Sequence, residues 1–397
     1  MKILCISNYY PPFFEGGYEI SVKETMDFLI GLGHAVFILC GNKGMTRDEA
    51  AAEEALKPGE PHRVLRYIDY LRPSFKDKHR VEKHNYGHTT QALQSIEPDL
   101  VYLGNMKGIS IAPVLAVQNS KYPKVFDMGD IWPAVYLRSG IKSLVYRSLK
   151  QMIPFTVGGR MILDPVIVPS SWMKEEFSRQ FKSRSIHLVP RGIALPPENP
   201  RPVGKPLRFV FAGRIEPMKG LELCIQAASR VLAEYQDFCL DIYGDEDESY
   251  AERCKALIKK LHLQEHFNFL GKTLDINKIL PNYDVLLMPT MAKEAFGRIV
   301  VEAMAAKVIV IATDAFGPKE IISSSHDGFL FKRGSSASLA SAILHVYQMI
   351  PQHLEQMRSQ ARETVETRYE INLVKMRLVN ILENIIKEAK QPQRGTK

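Results

Sequence analysis

The sequence predicts an α/β fold of two doubly wound, parallel-sheet domains, and three observations carry that prediction. Short apolar runs alternate with longer amphipathic stretches along most of the chain, the pattern of repeated βαβ units. A break holding five prolines, Leu195-Pro-Pro-Glu-Asn-Pro-Arg-Pro-Val-Gly-Lys-Pro206, separates two such series. At 397 residues the chain is also too long for one ordinary core, and two domains of roughly 150–200 residues are the natural partition. The expected domains are 1–200 and 205–365, with a C-terminal helix over about 368–390 that completes the first domain.

Composition narrows the class. Hydrophobic residues make up 45% and charged residues 24% of the chain, the balance of a soluble globular protein. A net charge of +8 favours anionic partners such as phosphates, nucleotides or an acidic membrane face, and does not point to nucleic acid. Five cysteines, an odd number without a CxxC, fit a reduced, cytoplasmic compartment with no metal framework. The opening apolar run is too short for a secretory signal, and no apolar run approaches the length of a membrane span.

In chain order, Lys2–Ser7 reads as a buried strand, a helix with apolar Ile20, Met26, Phe28, Leu29 and Leu32 follows, and Ala35–Cys40 is the next strand. This βαβ opening implies a parallel pair with a right-handed crossover. Gly16 and Gly17 lie between a strand's carboxyl end and a helix, where α/β sheets bind ligands. Gly31-Leu-Gly33 is no dinucleotide fingerprint, because it follows a helix and precedes a strand. Ala50–Leu56 reads as helix, and His62–His88, rich in basic residues and tyrosines, as a solvated helical face and loop or a basic acceptor-side surface. Further strands fall at Pro98–Leu103, Lys124–Met128, Pro165–Pro169 and Ile186–Pro190. Asp130 follows one of them, as a candidate catalytic contact to the transferred group or the acceptor, or as an Asx turn ahead of Pro133. Leu137–Leu149 has helical periodicity with basic residues and no acid, so it either lies on an anionic membrane or faces the core. Ser170 suits a helix N-cap.

The second series has strands at Arg208–Phe211, Phe238–Tyr243, Phe267–Leu270, Val285–Met288, Val308–Ala312 and Gly328–Lys332. Arg214 and Lys219 lie on the loop after its first strand, with Gly213 and Gly220 giving backbone room, and two cations there suit a diphosphate. Asp245-Glu-Asp247 matches a metal-holding DxD but reads better as loop acids ahead of a helix. Glu294 and Glu302 stand eight residues apart, the first in a loop and the second in a helix that opens at Phe296–Gly297. That helix N-terminus is an anion site, and Glu302 either meets a ribose or pairs with Arg298 at i,i+4. Pro318 suits the first position of a short helix.

Three motifs, Phe211-Ala-Gly-Arg-Ile-Glu-Pro-Met-Lys-Gly220, Glu294-Ala-Phe-Gly-Arg-Ile-Val-Val-Glu302-Ala-Met-Ala and Gly317-Pro-Lys-Glu320, resemble those of the family-4 retaining glycosyltransferases. Glu15-Gly-Gly17 and Val189-Pro-Arg-Gly192 are weaker echoes. The resemblance implies a GT-B fold, two Rossmann-like domains facing across a cleft, with a C-terminal helix crossing back. It implies transfer of a sugar, with retention, from a nucleoside-diphosphate sugar to a glycan, a lipid-linked glycan or a small acceptor. Neither metal nor cofactor is implied. Glu294 would contact the donor sugar, Glu302 the ribose, and Arg214 and Lys219 the diphosphate. Phe296, Gly297 and Arg298 would offer backbone N–H groups, Gly213 and Gly317 would line the donor site, and Gly16 and Gly17 would close over the donor. Polysaccharide assembly in the cytoplasm, with peripheral contact at the inner membrane face, is the expected setting. The chain departs from the family at Gly129, where a sugar-contacting His is common, at Arg191 and Lys307, and at Phe316, where the first of two glycines is common. The alternative is a catalytically silent sugar-nucleotide or glycan binder of the same fold.

Overall fold

Apolar runs become the central strands of each sheet, β-strands buried on both faces such as Leu100–Leu103, Val285–Met288 and Ile309–Thr313, which forces helices onto each side of a parallel sheet. The computed structural model describes residues 1–42, 56–68, 74–136, 161–198, 202, 204, 206–273 and 275–391. The chain divides into one unit of Met1–Val189 with Lys375–Lys397 and a second of Pro190–Val374. The division lies ahead of the proline-rich stretch, which falls in the second unit.

Unit 1 holds β1 (Lys2–Ser7), α1 (Gly17–Gly31), β2 (Ala35–Gly41), β3 (Pro61–Leu65), α2 (Phe75–Ile96), β4 (Leu100–Leu103), α3 (Ala112–Gln118), β5 (Lys124–Asp127), β6 (Val166–Val168), α4 (Ser171–Phe181) and β7 (Ile186–Leu188). Its seven strands pair in parallel in the order β3-β2-β1-β4-β5-β6-β7. β3 corrects the sequence reading, which takes His62 onward for helix and loop. Pro61 opens an edge strand, where its missing N–H breaks no ladder, and the polar His62 and Arg63 mask the short run. The Ser170 hydroxyl caps α4 by accepting from the Met173 N–H at 3.2 Å, as expected. The predicted helices over Ala50–Leu56 and Leu137–Leu149 lie, except for Leu56, outside the described residues.

Unit 2 holds β8 (Phe209–Ala212), α5 (Leu221–Val231), β9 (Leu240–Tyr243), α6 (Glu248–Lys260), β10 (Phe267–Gly271), α7 (Ile276–Ile279), β11 (Val285–Met288), α8 (Arg298–Ala305), β12 (Ile309–Thr313), α9 (Phe316–Ile321), β13 (Phe329–Phe331), α10 (Ser336–Gln348) and α11 (Pro351–Arg368). The strands run parallel in the order β10-β9-β8-β11-β12-β13. Alternation along each strand feeds two cores. Phe209, Phe211, Val285, Leu287, Ile309 and Ile311 face one, and Val210, Leu286, Met288, Val310 and Ala312 the other. Burying each large apolar side chain contributes about 1.5–3 kcal/mol. Pro318 is the third residue of α9 and not the first, because the helix already begins at Phe316.

The last helix, α12 (Ile371–Lys390), belongs to unit 1 from Lys375 onward. There the buried Lys375 ammonium donates to the Ser21 carbonyl at 3.2 Å and to the Thr25 hydroxyl, both on α1. Among the described residues no helix is long and apolar enough to cross a membrane.

Candidate functional site

The sheet of unit 2 changes winding direction between β8 and β11, since β8 is followed by β9 on one side and flanked by β11 on the other. Loops at the carboxyl ends diverge at such a point and leave a crevice. The loop after β8 carries Gly213, Arg214 and Lys219, and the loop after β11 carries Glu294 ahead of α8.

Gly220 makes the contact of these two loops possible. Its φ is +76°, and a Cβ there would lie 2.1 Å from the Pro289 carbonyl oxygen. The Met218 carbonyl then accepts from the Met291 and Ala292 N–H groups at 2.8 and 3.0 Å. Lys219, at the end of the short turn Pro217–Lys219, is thereby set against the second loop. Its Nζ donates to Glu294 Oε2 at 2.9 Å, and both side chains are 23% exposed. Arg214 is exposed and pairs with Glu216 Oε1 at 3.0 Å.

α8 begins after Gly297 and no side chain caps it, so its positive dipole end is open to an anion. Within it Arg298 Nε donates to Glu302 Oε1 at 2.7 Å, the i,i+4 pairing that the spacing allows. Phe296 is buried and packs edge-to-face on Tyr369, so only its backbone is offered to a ligand. Gly317 donates its N–H to the Glu294 carbonyl at 3.0 Å, and a Cβ on it would lie 2.2 Å from the Phe296 carbonyl oxygen. Arg214, Lys219, Glu294, Phe296, Gly297, Arg298, Glu302, Gly213 and Gly317 thus share the carboxyl-end loops and helix start of one sheet.

The aspartates of the DxD-like stretch do other work. Asp247 caps α6 by accepting from the Tyr250 N–H at 2.9 Å, and Asp245 pairs with Lys272 at 2.6 Å. No cluster of three potential metal ligands occurs among the described residues. Four of the five cysteines are buried, and burial pushes thiols up, Cys254 to about 11.

Unit 1 places Gly16, Gly17 and Asp130 at the carboxyl ends of β1 and β5. Gly16 precedes α1, and its N–H donates to the Glu19 carboxylate at 3.1 Å. Asp130 forms the Asx turn, its Oδ1 accepting from the Trp132 N–H at 2.6 Å. The Asp130 carboxyl is held above its ordinary value by desolvation, against the Trp132 N–H and Lys107. The absence of a side chain at residue 129 has a steric cause. A Cβ on Gly129 would lie 2.1 Å from the Tyr18 ring, whose hydroxyl donates to the Asp127 carbonyl at 2.9 Å. Sequence reasoning passes over Tyr18 and also Arg333, which lies two residues past the carboxyl end of β13. A basic residue just past a strand is the available signal for Arg333.

The profile of the glycosyl transferases group 1 matches residues 197–364. A phosphatidyl-myo-inositol mannosyltransferase of Mycobacterium leprae is 33% identical over 138 residues, 34% of this chain and 36% of that protein. An N-acetyl-alpha-D-glucosaminyl L-malate synthase of Bacillus anthracis is 27% identical over 182 residues, 46% of each chain. These alignments therefore span less than half of either relative. Among solved structures, a glycosyltransferase from Rickettsia africae superposes with a TM-score of 0.74 at 21% identity, covering 97% of this chain and 98% of that one. HepE of Anabaena in complex with UDP-glucose gives 0.71 at 20% identity, covering 97% and 100%. At such identities the likeness is one of fold, and the fold is GT-B. The segment 197–364, which holds the Lys219–Glu294 pair and α8, belongs to the glycosyl transferases group 1.

Proposed function

We propose that the chain is a glycosyltransferase that moves a sugar from a nucleoside-diphosphate sugar to an acceptor hydroxyl. The observation that carries this reading is the half-buried Lys219–Glu294 pair beside the uncapped start of α8. Lys219, Arg214 and the α8 N–H groups meet the diphosphate, and Glu294 meets the sugar. Glu302, steadied by Arg298, accepts from the ribose. The bond between the anomeric carbon and the diphosphate oxygen breaks with its electrons going to the phosphate. The acceptor oxygen bonds the same carbon on the same face, and its proton passes to the departing phosphate oxygen. Positive charge fixed where negative charge develops is the main catalytic contribution, with positioning of the acceptor second. Two cations and a helix dipole supply that charge without a metal ion. Gly16 and Gly17 are proposed as donor contacts and Asp130 as a contact of the transferred group or the acceptor, which is a glycan, a lipid-linked glycan or a small molecule.

Thermal unfolding with UDP, GDP or ADP in the presence of EDTA tests the reading. A nucleotide at about 100-fold its dissociation constant adds roughly 2.7 kcal/mol of stability. A shift with one nucleotide supports the donor site and names its base. No shift with any of the three, with EDTA or with Mn²⁺, refutes the reading.

A further inference from the structure

Phe316 is the conformational exception of unit 2. Its φ is +56°, a region where a bulky side chain is a genuine outlier. Strain of that kind persists only where surrounding structure holds it, and it gathers at ligand clamps. Core packing is not what holds Phe316, since it is only half-buried and belongs to neither hydrophobic core of the unit. Arg333 is at hand instead. Its guanidinium carbon lies 5.4 Å from the centroid of the Phe316 ring, within cation–π range, and its Nη2 donates to the Met291 carbonyl.

These contacts join the loops of three adjacent strands. Met291 lies after β11, Phe316 after β12 and Arg333 after β13, in the order in which those strands pair. The next residue on from Phe316, Gly317, donates to the Glu294 carbonyl. The residue next to Phe316 is thus fastened to the backbone of Glu294, the residue assigned to the donor sugar. A glycine at position 316 would adopt the same φ without strain. The benzyl side chain therefore adds bulk beside Glu294 at the expense of backbone strain.

We propose that Phe316, held by Arg333, is the wall that sizes the donor-sugar space beside Glu294 and restricts it to sugars without an N-acyl substituent. The proposal rests on the reading of this site as a nucleotide-sugar site. Phe316 acts on the sugar by contact, while Arg333 is a positioning residue that acts through the ring. Lysine does not replace Arg333, because a point charge lacks the planar fork that stacks on the ring and bonds the carbonyl together.

The test compares a hexose donor with an N-acetylhexosamine donor on the full chain, UDP-glucose against UDP-N-acetylglucosamine, or the same pair on whichever of UDP, GDP and ADP the chain binds. Release of nucleoside diphosphate gives kcat and KM for each, and binding of the nucleoside diphosphate alone is measured beside them. The expected result is a wild-type preference for the hexose that Phe316→Gly shifts toward the N-acetylhexosamine by about tenfold or more. Arg333→Ala and Arg333→Lys shift it in the same direction by less and mainly through KM, whereas Phe316→Tyr retains the wild-type ratio. Nucleoside diphosphate affinity stays level in all variants. A wild-type preference for the N-acetylhexosamine, or a ratio that Phe316→Gly leaves within about twofold, overturns the proposal and leaves the donor site standing. Absence of nucleoside diphosphate binding in the wild type overturns both.

Discussion

Replacing Lys219 by alanine separates what the ion pair does for the fold from what it does for the reaction. The pair spans 2.9 Å with each side chain 23% exposed, so it lies between the exposed and buried limits. Exposed pairs contribute about 0.2–1 kcal/mol, and breaking a fully buried one costs about 3–5 kcal/mol. For Lys219→Ala a loss of about 1–2 kcal/mol follows, or roughly 2–8 °C in Tm for a domain of this size. Turnover falls much further. On the proposed function, the variant removes a charge that meets the departing diphosphate and leaves the Glu294 carboxylate to repel it. Loss of one such donor lowers kcat by about 10²–10³. The assay is nucleoside diphosphate release from the preferred donor, with circular dichroism melting on the same samples. Glu294→Gln in the same background restores part of the nucleotide affinity, because the repulsion is then gone, but does not restore turnover. Turnover within about threefold of wild type, well short of the factor a charge stabiliser contributes, would refute the assignment of Lys219 to the diphosphate.

Three other outcomes follow from the geometry. Gly220→Ala combines a left-handed φ with a Cβ driven into the Pro289 carbonyl, so unfolding in urea should show a loss of about 2 kcal/mol or more, with donor turnover falling because Lys219 is displaced. Asp247→Ala removes the cap of α6 and should lower stability by about 1 kcal/mol while kcat, measured with and without EDTA, matches wild type; a fall in kcat would place the aspartate in the reaction instead. Gly129→Ala collides with the Tyr18 ring and should lose about 1–3 kcal/mol in urea, a loss that the double variant with Tyr18→Ala reduces.

Much of the site is legible in the amino-acid sequence because the chemistry is local. Arg214, Lys219 and Glu294 each stand on a loop directly after an apolar run, and strand ends in a parallel sheet mark ligand positions without further information. The Asp247 cap, the Ser170 cap and the Arg298–Glu302 pair are likewise contacts within four residues, so spacing alone suffices. β3 is not legible, since five residues with a leading proline and two basic side chains carry no alternation strong enough to outweigh their polarity. Arg333 and Tyr18 escape notice for a different reason. Their partners lie 17 or more positions away in the chain, and nothing in local pattern announces such a meeting.

The amino-acid order by itself determined the α/β class, the placement of most strands and the set of charged residues at their carboxyl ends, because alternation and helix periodicity are properties of neighbours. Which charges meet was decided only by tertiary structure. Lys219 reaches Glu294 because β8 and β11 are neighbours in the sheet although 75 residues separate the pair, and because Gly220 lets their loops touch. Strand order is set by long-range packing of both sheet faces against helices, and no short window of sequence contains it.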